Sequence, residues 1–130
     1  MKKFFSILFL LVVLISIATF EEIYTHHFLR DLDNKSNIVL TEIEKNKENL
    51  NIPAVNNSFD DLNTYWHKAK NTLCYFTNYE KIRNLDESFV KLSTAIKNND
   101  LSLATENATV IKEYSSFFEY LMGFTINNLF

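Results

Sequence analysis

Turn-forming residues are nearly absent: the 130 residues include one Gly, at position 123, and one Pro, at position 53. Tight hairpins depend on such residues, so their scarcity argues against an all-β fold and for few turns and long helices. Cys74 is the only cysteine. No internal disulfide can form, and stability must come from a packed core. Beside Leu73 in a helical pattern, Cys74 reads as a half-buried thiol packing as a small hydrophobe. An intermolecular disulfide between two copies is the alternative. No cysteine closes the N-terminal apolar run, which removes the usual lipoprotein attachment point. Clustered basic charge is missing too. With Lys2 and Lys3 set aside, 11 Lys and Arg face 16 Asp and Glu, a net of −5. That balance gives no electrostatic footprint for nucleic acid, and it repels anionic lipid surfaces away from the chain's own anchor. There is no serine elbow, no Gly-rich phosphate loop and no His-Glu metal motif.

What is present begins with Phe4 to Phe20, 17 residues without charge, Pro or Gly, preceded by Lys2 and Lys3 and followed by Glu21 and Glu22. As a helix it spans about 25 Å, somewhat less than a hydrocarbon core of about 30 Å. Bilayer thinning, snorkelling lysines and interfacial Ile23 and Tyr24 cover the difference. The segment therefore reads as a membrane anchor over residues 1–20, with residues 21–130 as one domain. The competing reading is a signal peptide cleaved after Ala18, where Ser16 and Ala18 occupy the small-residue positions, giving a secreted protein. The run exceeds a typical h-region of about 7 to 15 residues, and nothing near Ala18 interrupts the helical pattern. Lys2 and Lys3 place the N-terminus in the cytoplasm and the domain outside.

The remaining chain carries helical periodicity throughout. Leu29, Leu32, Val39, Ile43 and Leu50 keep a seven-residue rhythm, with Thr25, Ser36 and Asn46 in the intermediate places. This predicts one helix rising from the membrane to about Leu50, closed by Asn51-Ile52-Pro53. Asn56-Asn57-Ser58 is expected to be a connection, with Ser58 and Asp61 as a capping box. Leu62, Tyr65, Trp66, Ala69, Leu73 and Phe76 then form a core face. Near Thr77-Asn78 the phase changes: Ile82, Leu85, Phe89, Leu92 and Ile96 fall nearly opposite Trp66 and Leu73 at about 100° per residue. A break is expected there, with Asn78 in the left-handed conformation that ends helices. Asn98-Asn99-Asp100 closes one helix and caps the next. The last helix carries Leu103, Val110, Ile111, Tyr114, Phe117, Phe118, Leu121 and Phe124, with Gly123 where a neighbour approaches. The expected fold is all-α, a transmembrane helix continuing into an antiparallel four-helix bundle. Without the break at Asn78 the count falls to three.

These segments resemble a family of small single-pass proteins of spore-forming, Gram-positive bacteria, domain of unknown function 4363. The residues that carry the resemblance are the basic-then-apolar start with Glu21-Glu22-Ile23-Tyr24, Trp66, Asn78-Tyr79-Glu80-Lys81-Ile82, Leu92 before Asn98-Asn99-Asp100, and the closing Asn127-Asn128-Leu129-Phe130. The resemblance implies membrane anchorage and a helical domain, and it supplies no activity. A His often opens the junction in that family where this chain has Asn78.

Groups capable of chemistry are few. His26 and His27 diverge by about 100° on a helix, and His67 lies on another element. With Glu22 or Asp31 they are the one conceivable metal or haem set, and they read more simply as surface histidines. Glu21-Glu22 reads as a membrane-end marker, Asp60-Asp61 as first-turn charges, and Asp86-Glu87 as solvated surface. No catalytic, cofactor-binding or metal residue is assigned, and no cofactor is expected. Aromatics are the remaining signal. Tyr65, Trp66, Tyr75, Phe76, Tyr79 and the Tyr114 to Phe124 block are expected to be mostly core. The surplus gives a candidate partner or pocket surface at Trp66, Tyr114, Phe118, Tyr120, Met122 and Phe130. The expected function is a non-enzymatic interaction or accessory module of the cell envelope, held to the membrane by residues 4–20 and facing a membrane or envelope protein or a second copy. The alternative is a ligand-sensing or carrier domain with an apolar pocket lined by Trp66, Phe89, Tyr114 and Phe118.

Overall fold

In the computed structural model, residues 1–75 and 78–114 are described, and they contain four helices and no strand. α1 is Lys2–Lys45, α2 is Pro53–Leu73 and α3 is Tyr79–Lys97. α4 runs from residue 101 and is helical through residue 114, the last one described. The fold is the expected all-α bundle on an apolar N-terminal helix. Phe118, Tyr120, Met122, Phe130 and Gly123 lie outside the described residues.

α1 is a single unbroken helix of 44 residues, about 66 Å long at 1.5 Å per residue. Its first 20 residues are uncovered, Phe9 for example being 72% exposed. Burial starts at Thr25 and continues through Leu29, Leu32, Ser36, Val39 and Ile43. That alternation of four and three residues is the seam of a helix packed along one side. α2 buries Val55, Phe59, Leu62, Trp66, Ala69 and Leu73, and α3 buries Ile82, Leu85, Phe89, Leu92 and Ile96. α4 contributes Ala104, Ala108 and Ile111. All four stripes meet in one core. Ser36, fully buried, donates its hydroxyl to the carbonyls of Leu32 (2.6 Å) and Asp33 (3.0 Å), so the polar place in the α1 seam is satisfied locally.

Three boundaries differ from expectation. α1 stops at Lys45, because Asn46 turns back on it: its N–H bonds Ile43 O (3.2 Å) and its side chain bonds Glu42 O (2.8 Å). Leu50 keeps the heptad spacing and is fully buried, but it sits in the connection that folds back over the core. α2 begins at Pro53, before the expected connection at Asn56 to Ser58. Proline at the first helical position supplies the right φ and gives up an N–H with no intrahelical partner. Ser58 accordingly lies inside α2 and donates to Val55 O (2.8 Å). The break near Asn78 is present, yet Asn78 is extended (φ −61°, ψ 132°) and caps α3 through its side chain, which accepts from Glu80 N–H at 2.9 Å.

The α3–α4 turn behaves as its sequence predicts. Asn99 (φ 54°) is the one non-Gly residue with positive φ among those described. Asp100 N–H reaches Ala95 O (2.9 Å) and Asn99 N–H reaches Ile96 O (3.2 Å), a Schellman closure. Asp100 then caps α4 by accepting from Leu103 N–H at 3.1 Å. The Asn99 side chain accepts from Leu50 N–H (2.8 Å) and donates to Glu48 O (3.1 Å). The α1–α2 and α3–α4 turns are thereby clipped together at the end far from the apolar segment. The helices run up, down, up, down, and α4 returns against α1, where Lys112 Nζ donates to Asn37 Oδ1 at 3.0 Å.

Candidate functional site

Aromatic side chains from three helices converge at mid-bundle. The Trp66 ring stacks on Phe89 (centroids 5.5 Å apart) and leans on Phe28 (6.1 Å), which stacks on Tyr65 (5.9 Å). Trp66 is 1% exposed and so forms part of the core rather than a partner surface. A buried indole N–H needs an acceptor, and Asp86 of α3 supplies it. Lys70 Nζ pairs with the same carboxylate at 3.1 Å. Asp86 is therefore a half-buried structural acceptor, and the expectation of solvated surface for it is corrected. On the α1 side, Tyr65 donates to Asp31 at 3.1 Å, and Lys35 pairs with Asp61 at 2.7 Å while lying over the Tyr65 ring. Asp61 lies past the first turn of α2, so it joins two helices rather than serving the helix dipole. Burial pushes the Tyr65 phenol well above its ordinary range, and the Asp31 charge and hydrogen bond push it the same way.

Below this cluster, toward the apolar segment, is a small cavity of about 20 Å³. Thr25 and Leu29 of α1, Trp66 and Leu73 of α2, Ile82 of α3 and Tyr114 of α4 line it. It has room for about one water and none for an organic ligand, which needs on the order of 300 Å³ or more. Of the four residues expected to line a ligand pocket, Trp66 and Tyr114 do meet here. Phe89 is spent on stacking with Trp66, and Phe118 is outside the described residues. Tyr114 is half-buried, and burial raises its phenol to about 12. A second, open groove of about 450 Å³ runs over the far end between Leu40, Ile43 and Glu44 of α1 and Thr105 of α4.

His26, His27 and His67 are all exposed. Arg30 meets His27 Nδ1 at 3.2 Å, and Asp31 is taken by Tyr65. Among the described residues no three His, Cys, Asp or Glu side chains come together in a metal-binding group. Glu87 pairs along its own helix with Lys91 (3.8 Å). Cys74 is exposed at the end of α2, not packed in the core, and Tyr75 and Tyr79 beside it are 86% and 74% exposed. Cys74 and Tyr75 follow the end of α2 and Tyr79 is the first residue of α3, where the periodic pattern no longer dictates burial.

Fold and site thus define a four-helix bundle continuous with one uncovered apolar helix, long enough and apolar enough to be a single-pass membrane anchor. The chain belongs to the family whose model is described as Domain of unknown function (DUF4363), which matches residues 23–129. No curated protein and no solved structure matches it.

Proposed function

We propose that this protein is a non-enzymatic interaction module, tethered by residues 4–20 in the cell membrane with residues 21–130 outside, and serving as an accessory to another membrane or envelope protein. The carrying observation is the contrast along α1. Its first 20 residues are all exposed, and the same helix then enters a bundle whose cavity beneath Trp66, among the described residues, measures only about 20 Å³. An uncovered run of that length needs a lipid or protein environment. A cavity too small for an organic ligand, with Asp31, Asp61 and Asp86 engaged in joining helices, supports binding through surfaces rather than through an internal pocket. Lys2 and Lys3, directly before the apolar run, support the orientation.

The test is fractionation of cells expressing the full chain, followed by protease added from outside and mass spectrometry of the N-terminus and of crosslinked partners. Expected are membrane retention, an N-terminal segment that is intact and protected, a digested domain and a membrane or envelope partner. A soluble protein beginning at Thr19 overturns the tether.

A further inference from the structure

The last residues of α2 and the first of α3 stand level with the end of the apolar segment. Lys35 is opposite Asp61, and Asp31 is opposite Tyr65, so each step of four residues down α1 is a step of four up α2. Continued to the end of α2, that register sets Leu73 about level with Ile23, and Tyr75 about level with Glu21. On α3, Trp66 faces Asp86 and Phe89, which returns Tyr79 to the same height. The last apolar residue, Phe20, is only about two helical rises away from residue 22, or about 3 Å along the axis.

Four aromatic rings gather at this height. Phe20 stacks on Tyr24 with centroids 6.1 Å apart, and Phe20 is 59% exposed. Tyr75 and Tyr79, at the same end of the bundle, are the two most exposed tyrosines among the described residues, at 86% and 74%. Tyrosine suits a headgroup layer because its ring is apolar and its hydroxyl stays wet. That layer is about 5 to 7 Å thick on each side of the hydrocarbon. The bundle begins at Thr25 with no linker, since α1 is continuous, so this end lies within reach of the bilayer surface that holds the anchor.

We propose that the α2–α3 end of the bundle docks on the lipid headgroups, with Tyr75 and Tyr79 inserted beside Phe20 and Tyr24 as a ring of interfacial aromatics. The occupant is the bilayer that the anchor itself crosses, so the inference rests on the tether reading above. Docking at two separated places fixes the tilt of the bundle, which a lone helix leaves free.

The native chain carries its own probe site, because Cys74 is exposed, single and next to Tyr75. The full chain, spin-labelled at Cys74 and reconstituted in phosphatidylcholine vesicles, is compared with Cys74→Ser proteins labelled at Val12→Cys or Lys97→Cys. Collision with oxygen, relative to a water-soluble nickel chelate, reads depth. Position 12 is expected to read hydrocarbon, position 97 water, and position 74 the headgroup layer, several-fold higher in that ratio than position 97. Tyr75→Ser with Tyr79→Ser is expected to return position 74 to the aqueous value while position 12 stays unchanged. A watery position 74 beside a buried position 12 overturns the docking and leaves the tether standing. A watery position 12 overturns both. An interfacial position 74 that ignores the double substitution overturns the part assigned to the two rings.

Discussion

Asn99 and Leu50, 49 positions apart in sequence, are joined by a 2.8 Å hydrogen bond from the Leu50 N–H to the Asn99 side-chain oxygen. The same side chain holds Glu48 O, while its own backbone takes φ 54°. One residue therefore ends α3 and fastens two turns. Asn99→Gly keeps the backbone conformation and loses the clip, and is expected to cost about 1 kcal/mol. Asn99→Ala loses the clip and must also hold a left-handed φ, for about 2 kcal/mol or more. Urea unfolding midpoints of the two variants check the order.

Asp86 completes the mid-bundle cluster by accepting from the Trp66 indole. Asp86→Ala leaves that N–H buried without a partner and is expected to destabilise by about 1 to 3 kcal/mol. Asp86→Asn retains an acceptor and should lose less. Trp66 is the single tryptophan, so its emission reports the change directly. A variant as stable as the parent, with unshifted emission, contradicts the assignment.

Tyr114 gives the fold an alkaline limit. Its phenol ionises near pH 10 in the unfolded chain and at about 12 in the bundle, because burial disfavours the anion. The unfolded state then releases its proton first as pH rises, so this contribution to stability is full below pH 10 and is lost between 10 and about 12. Tyr65 acts in the same direction. Denaturation midpoints measured up this range are expected to fall, and to fall less steeply in Tyr114→Phe.

The α1 seam separates packing from polarity. Leu32 is fully buried, and Leu32→Ala is expected to cost about 2 to 5 kcal/mol through a cavity. Ser36 is equally buried but bonds only to carbonyls of its own helix. Ser36→Ala leaves those carbonyls in the helical ladder and should change stability by less than about 0.5 kcal/mol. Thermal unfolding of both variants side by side makes the comparison.

The stripes of Leu62 to Leu73 and Ile82 to Ile96 are legible because a helix in a bundle has one apolar side, which writes itself into the spacing. The break between them was legible from the same phase. Its chemistry was not: the left-handed asparagine is Asn99, and Asn78 caps instead, since an Asn side chain serves either end and only the surrounding backbone decides. Leu50 misled because seven residues after Ile43 is also where a returning connection can insert a side chain. Pro53 reads as a stop in the sequence, although the same fixed φ makes it a start. The Trp66–Asp86 pair joins separate helices, and nothing in local spacing encodes which carboxylate will face an indole. Tyr75 and Tyr79 belong to a set of aromatics expected to be mostly core, yet exposure at a helix end depends on where the neighbouring helices stop.

α1 contains neither glycine nor proline between Lys2 and Lys45, and those are the commonest places for a sharp bend. Over about 66 Å, a change of about 5° at one end swings the other by about 6 Å. Given the tether proposed above, the helix is a lever: whatever leans on the far turns is felt among the lipids, and a shift in bilayer thickness is delivered, magnified, to whatever those turns touch.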